Sequence, residues 1–302
     1  MRIFITGGAG FIGIHLCKKL FELNYDITVY DNFSNSSQQN FISLVDNKVN
    51  LIVGDILDVS KLIYSMKDHD VVIHLAAKIS VVESIRDPKS TFEINVIGSQ
   101  NVLNGCLKNN IKKIIAVSTA AVYQNTSNEI PLDESSLLNP SSPYGKSKLD
   151  MEILIENYTS TNNLDAVILR LFNVYGLGQS SEYAGVITKF SSDIDNETHL
   201  TIFGDGTQTR DFIYVDDVLQ SLVLSLEKNI SGIFNIASGN STSILDLANL
   251  MIFQSGKPLK LQFLSSLPGE IKFSSSSIQK AKKYLKFIPK FNISEGLQKL
   301  RN

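Results

Sequence analysis

The sequence predicts an α/β fold: a Rossmann-type doubly wound parallel sheet over residues 1–172, then a smaller C-terminal α/β lobe over 173–302 that binds substrate. Three observations predict it. Short, β-rich apolar runs alternate with longer tracts of helical period, the pattern of strand–helix–strand units in a parallel sheet. A glycine-punctuated loop joins the first of these strands to the first helix. Past Phe172-Asn173 the composition shifts to glycine-punctuated loops between shorter elements, and some later segments are expected to return to the first domain. At 302 residues and 43% apolar content, the chain can bury one large core or one core and a lobe.

Arg2-Ile3-Phe4-Ile5-Thr6 reads as a buried parallel strand. It runs into Gly7-Gly8-Ala9-Gly10-Phe11-Ile12-Gly13, and a helix with Leu16, Leu20 and Leu23 follows. Glycines at 7, 10 and 13 form a Gly-x-x-Gly-x-x-Gly dinucleotide fingerprint. Gly7 permits the tight turn, Gly10 lets backbone approach a pyrophosphate, and Gly13 lets helix pack closely on strand. Phe11 and Ile12, at the helix mouth, belong to the same cofactor contact. The next strand, Asp26 to Tyr30, ends at Asp31, 18 residues past Gly13, where a carboxylate can accept from ribose hydroxyls. No arginine follows in Asn32-Phe33-Ser34-Asn35-Ser36, so NAD is expected rather than NADP, with Asn32 beside it. A turn aspartate capping a loop is the other reading of Asp31.

A third strand, Asn50 to Val53, leads to Gly54-Asp55-Ile56, where Asp55 is placed to meet the adenine amino group. The fourth, Asp70 to Leu75, ends in Ala76-Ala77, small residues over which a cofactor can pass. His74, inside that buried strand pattern, reads as a satisfied core histidine. A helix from Ser90 to Asn109 carries Asn95, expected on the cofactor. The strand Lys113–Val117 then ends in Ser118-Thr119-Ala120-Ala121, hydroxyls at the carboxyl end of a central strand, where open α/β sheets bind ligands. Residues 124–142 read as a loop, and one more strand, Ala166 to Leu171, closes the series. In the second part helices are expected near Gly185–Ser192, Asp216–Glu227, Ser243–Gln254 and Lys280–Leu285, with a strand near Leu200–Phe203.

Composition excludes several partners. A net charge of −2 and a pI near 6.1 give no footprint for nucleic acid or an anionic membrane. Cys17 and Cys106 are too few for a disulfide framework and lack metal-ligand spacing, so both read as buried thiols. Met1-Arg2 meets the glycine loop almost at once, and no apolar run nears the roughly 18 residues of a membrane span. A soluble, cytoplasmic protein is expected.

The chemistry centres on Ser142-Pro143-Tyr144-Gly145-Lys146-Ser147-Lys148. Pro143 suits the mouth of a helix, which runs on to about Tyr158 and sets Tyr144 and Lys148 one turn apart on one face. A phenol has a pKa of about 10, and base work near neutrality needs it roughly 3 units lower, or about 4 kcal/mol. An ammonium at about 6 Å, with an effective dielectric of about 20, supplies roughly 2.8 kcal/mol. Lysine alone falls short, and an oxidised nicotinamide would provide the second positive charge. A Tyr and a Lys four apart also occur on solvated helix faces, so the neighbouring motifs decide.

Together these motifs resemble the extended short-chain dehydrogenase/reductase family, and within it the nucleotide-sugar epimerases. The carriers are residues 6–13, Tyr144-x-x-x-Lys148, Leu169-Arg170-Leu171-Phe172-Asn173, and Phe203-Gly204-Asp205-Gly206 leading to Arg210-Asp211-Phe212-Ile213. The resemblance implies a triad of Tyr144, Lys148 and a hydroxyl at Thr119, with Ser118 the runner-up. It implies NAD contacts at Gly7, Gly10, Gly13, Asp31, Asp55, Ile56, Leu75, Ala76, Ala77 and Asn95. It further implies substrate contacts at Thr119, Asn173, Val186, Phe203, Arg210, Glu270 and Ser274, and a homodimer built from the helices at Ser90–Asn109 and after Tyr144. Family dehydratases and decarboxylases resemble one another in carrying an acid just after the triad hydroxyl. Ala120-Ala121 stand there here, which favours epimerisation of a UDP-hexose at C4, with another nucleotide sugar or a non-catalytic NAD sensor as rivals. Leu267 departs from an arginine that usually helps clamp the diphosphate.

Overall fold

The computed structural model describes residues 1–45, 49–125, 129–179, 185–266 and 271–301. Strand β1 (Arg2–Thr6) enters helix α1 (Phe11–Glu22), and β2 (Asp26–Asp31), α2 (Gln38–Val45), β3 (Asn50–Val53), α3 (Val59–Ser65) and β4 (Val71–His74) follow. Then come α4 (Val81–Arg86), α5 (Pro88–Phe92), a π-helical turn (Glu93–Gly98), α6 (Ser99–Lys108) and β5 (Lys113–Thr119). After the long loop come α7 (Pro143–Thr161), β6 (Asp165–Leu171), β7 (Asn173–Tyr175), α8 (Val186–Asp195), β8 (Leu200–Phe203), β9 (Thr209–Tyr214) and α9 (Val215–Glu227). The chain ends through β10 (Gly232–Ile236), β11 (Ser241–Ser243), α10 (Ile244–Ser255), β12 (Leu261–Leu264), a π-helical turn (Ala281–Leu285) and α11 (Ile293–Gln298).

Seven strands form one parallel sheet in the order β3-β2-β1-β4-β5-β6-β10. The order reverses at β1, between β2 and β4, and that switch point opens the ligand crevice at the strands' carboxyl ends. Alternate residues of β1, β5 and β6 feed opposite cores, which is why the middles of these strands are apolar on both faces. Ile3, Ile5, Ile115 and Val167 pack with α1, α2, α9 and the final π-helical turn. Phe4, Ile114, Ala166 and Ile168 pack with α3, α6 and α7. A separate apolar cluster joins α8, α10 and α11 to β8 and β9. Small sheets β11-β9-β7 and β12-β8 complete that later part of the chain. Among the described residues no helix is long and apolar enough to cross a membrane.

Two stretches depart from the sequence reading. The tract expected as one helix from Ser90 to Asn109 begins at Pro88, because the Asp87 carboxylate accepts from Ser90 N and Pro88 fits the first helical position. It then widens into a π-helical turn at Glu93–Gly98, where the built Cβ of Gly98 would come within 2.4 Å of the Ile56 side chain. β10 was not anticipated by position; Gly232-Ile-Phe-Asn-Ile pairs with β6 as an edge of the main sheet.

Candidate active site

The cleft at the switch point is lined by Gly7, Gly10, Phe11, Ile12 and Gly13 on one side and by Asp31, Asn32, Asp55 and Ile56 at one end. Leu75, Ala76 and Ala77 floor it, and Tyr144 and Lys148 face it from the far end. Sequence reasoning missed Lys78, Ile79, Ile94, Val117 and Gln179, which also line it. Val117 was findable, since it precedes the hydroxyls at the end of β5; Gln179 was not, because it arrives from a loop after β7.

The glycine loop has the geometry a dinucleotide needs. Gly7 sits at φ +69°, and a Cβ there would lie 2.4 Å from Ala76 N. A Cβ on Gly13 would lie 2.4 Å from the Gly8 carbonyl oxygen, so helix and loop are in direct backbone contact. A Cβ on Gly10 would meet only the Gly7 carbonyl, at 3.4 Å. Gly10 caps α1 without a side-chain bond, and no acid lies in the first turn. The first N–H groups of α1 are therefore left for an anionic ligand such as a pyrophosphate. Asp31 caps the turn, one of the two readings the sequence allowed, and faces the cleft as the other requires. Its oxygens accept from Ala9 N (3.0 Å) and Phe33 N (2.8 Å), fixing the loop, and it still lines the cleft. Burial raises its pKa, while those two backbone bonds lower it. Asp55 accepts from Asn32 Nδ2 (2.9 Å) and Leu57 N (2.8 Å), which ties the two loops at this end.

At the other end the triad residues meet. Ser142 caps α7 by accepting from Gly145 N (3.1 Å), with Pro143 in the first turn. Neighbours on a strand face opposite ways. Ser118 donates to Glu152, whereas the Thr119 hydroxyl acts on the Tyr144 phenol. Burial raises the Tyr144 pKa, and the Thr119 hydroxyl lowers it. Burial lowers Lys148 to about 8, opposed by the negative charge of Glu152. Without a further positive charge nearby, this pair is not set for base work near neutrality.

Asn95, expected on the cofactor, is bonded to protein groups beside the cleft. It is fully buried and is not among the cleft-lining residues. Its Oδ1 accepts from Lys78 N (2.8 Å), and its Nδ2 donates to the Lys78 carbonyl and the Ser147 hydroxyl (both 2.9 Å). The π-helical turn brings Ile94 to the cleft and sends Asn95 toward α7. Behind it lies a buried chain of polar groups. Ser99 Oγ donates to the Asn95 carbonyl (2.6 Å), so it accepts from His74 Nε2 (2.8 Å), leaving Nδ1 to accept from Thr6 Oγ (2.7 Å). Burial, then the charge on Lys148, holds the His74 pKa at about 3, so the ring is neutral. It is the satisfied core histidine the sequence suggested.

Apart from Thr119, the described residues expected on substrate belong to the later part of the chain and do not line the cofactor cleft. Val186 opens α8, and Phe203 ends β8 with Lys189 Nζ 5.5 Å from its ring centroid. Asn173 Nδ2 donates to the Asp211 carbonyl (3.1 Å), and Arg210 Nη1 to the Thr209 carbonyl (2.8 Å). Ser274 N donates to the same Thr209 carbonyl (3.2 Å), so Ser274 and Arg210 are neighbours. Leu267 and Glu270 fall outside the described residues.

Residues 3–237 match the NAD dependent epimerase/dehydratase family model, which covers most of the sheet and the triad. The chain belongs to that family. It is an enzyme fold of this family with NAD as the cofactor, and the glycine loop and Asp31 fit that nucleotide. The UDP-glucose 4-epimerase of Thermotoga maritima, solved with UDP-glucose, shares 34% identity at a TM-score of 0.94, covering 99% of this chain and 97% of that one. The UDP-N-acetylglucosamine 4-epimerase of Methanobrevibacter ruminantium, in complex with UDP-N-acetylmuramic acid, shares 35% identity at 0.94, covering 99% and 96%. The UDP-glucuronic acid 4-epimerase of Bacillus cereus, with UDP-glucuronic acid and NAD, shares 37% identity at 0.89, covering 99% and 97%. Similar family members thus act at C4 of different nucleotide sugars.

Proposed function

We propose that this enzyme inverts C4 of a UDP-hexose, interconverting UDP-glucose and UDP-galactose through a transient 4-keto sugar. The observation that carries the reading is the Thr119–Tyr144 contact at the mouth of the NAD cleft, followed by Ala120-Ala121 and no acid. Bound NAD supplies the hydride acceptor and, on return, the donor. Tyr144 takes the proton of the 4-hydroxyl and gives it back, Thr119 orients that hydroxyl, and the Lys148 ammonium holds the nicotinamide ribose and favours the phenolate. Arg210 and Asn173 contact the diphosphate, where an arginine makes charge-assisted bonds. With no acid after Thr119, elimination of water has no proton shuttle, and hydride return is the outcome left. Incubating the purified protein with a panel of UDP- and dTDP-sugars, without added NAD, tests this. UDP-galactose should form from UDP-glucose, and conversion confined to dTDP-sugars would overturn it. The 37% identity to the Bacillus cereus enzyme makes a UDP-uronate the second reading.

The same reading extends to N-acetylated hexoses. Ser274 is 8% exposed and stands beside the strand that carries Arg210. A serine there leaves the room of an absent phenol ring next to the sugar's C2 substituent. Activity on UDP-N-acetylglucosamine is therefore expected beside that on UDP-glucose. Ser274→Tyr should cut the first by at least about tenfold and spare the second, since steric exclusion from a pocket is worth that much. An unchanged N-acetyl rate would remove Ser274 from the pocket.

We also infer a homodimer. Of the apolar residues expected on its helices, Phe92, Ile97 and Ile153 are exposed, with Val82 and Ile85 alongside on α4, whereas Ile94, Leu149 and Tyr158 pack inward. An apolar face of this extent suits a partner surface. Light scattering at micromolar concentration should return twice the chain mass; a monomer mass would count against it.

A further inference from the structure

Tyr144, Lys148 and Glu152 follow one another at successive turns of α7, on the side that faces the sheet. Glu152 is 1% exposed and Lys148 4%. A buried ammonium needs an acceptor or an opposite charge, and the hydrogen-bond acceptor Lys148 has is the Met151 thioether, at 3.5 Å. The opposite charge that acts on it is Glu152, one turn further along the same buried face of α7.

That carboxylate is held rigidly. Arg170 on β6 donates from Nε to both of its oxygens (3.1 Å each) and from Nη2 to Oε2 (2.7 Å). Ser118 on β5, next to Thr119, donates to Oε1. Arg170 Nη1 in turn donates to the Tyr123 hydroxyl (3.0 Å), which donates to Asn235 Oδ1 (2.6 Å). The other groups around Lys148 do not replace Glu152. His74 faces it from β4 as a neutral ring, and Ser118 and Thr119 on β5 are hydroxyls. Arg86, Lys89 and Glu93 on the neighbouring short helices are exposed, as is Lys146 on α7 itself.

We propose that Glu152 is a positioning residue for the Tyr144–Lys148 pair: its carboxylate, fixed by Arg170 and Ser118, compensates the buried ammonium and locks α7 to the strand end that carries Thr119. This rests on the assignment of Tyr144 and Lys148 as the catalytic pair. A residue that only filled space would leave the protonation of Lys148 untouched, so that is the quantity to measure.

The test is the Lys148 ¹³Cε resonance, followed against pH in NAD-saturated full-length protein and identified by its loss in Lys148→Met. In Glu152→Gln/Arg170→Gln, where both charges go together, the midpoint should fall by up to about one pH unit, the low end for losing an adjacent opposite charge, offset in part by the loss of the Arg170 cation. Glu152→Asp, which keeps the charge, should stay near wild type. Glu152→Leu/Arg170→Met serves if the glutamine pair is unstable, since buried ion pairs tolerate apolar replacement of both partners. The alkaline limb of kcat on UDP-glucose should move down with the midpoint. A Lys148 midpoint that stays put in the folded double variant overturns the proposal. A midpoint that moves in a protein with no UDP-hexose turnover would sustain it and sink the substrate assignment instead.

Discussion

Tyr144→Phe should lower turnover by about 10²–10⁴-fold, the range for removing a general base, and leave NAD bound. The change deletes one hydroxyl and nothing else in the wall of the cleft. The other groups expected to seat the nucleotide lie elsewhere in the cleft: the glycine loop, Asp31 and the alanines after β4. Thr119 still accepts from Ala121 N (3.2 Å), so the turn after β5 keeps its shape. Turnover and the nucleotide released on denaturation, measured on the same preparation, separate chemistry from binding. A loss below about tenfold would assign the proton to another group.

The largest effect on stability belongs to Arg170→Met, expected to cost about 3–5 kcal/mol, as when one partner of a buried ion pair is removed. Arg170 is 1% exposed and among the largest fully buried side chains. Its loss strands the Glu152 carboxylate in the core and leaves the Tyr123 hydroxyl without one of its two partners. Adding Glu152→Leu should return part of the stability, because the stranded carboxylate is then gone from the core. Urea unfolding of wild type and the two variants reads this directly. A single variant within about 1 kcal/mol of wild type would mean that water reaches the carboxylate.

What the sequence disclosed was local. Gly7, Gly10 and Gly13 act within one turn, Asp31 follows at the end of the next strand, and Tyr144 and Lys148 share a helix face; each relation is a spacing along the chain. What stayed hidden was made by packing across it. The partners of Asn95 were not legible along the chain, because its side chain meets Ser147, 52 positions away. Glu152 and Arg170 were read as helix and strand residues, and only the folded sheet brings them together. The resemblance put Thr119 ahead of Ser118, and the alternation of β5 turns Ser118 away toward Glu152. The residues expected on substrate sit at or near the ends of short elements in the later chain, where periodicity carries little information.

The edge strand β10 has a consequence for how the protein is made. The polar network under the active site ends at Asn235, whose N–H donates to Glu134 (2.7 Å) and whose side chain meets Tyr123 and the Leu132 carbonyl. A nascent chain can already contain the glycine loop, Asp31, Tyr144 and Lys148 while Arg170 still lies beside an unfinished sheet edge. The nucleotide site is encoded early in translation, but its support is complete only once residues 232–236 have left the ribosome and docked on β6. A polypeptide halted at residue 172 would carry every cofactor motif and still lack the strand that secures them.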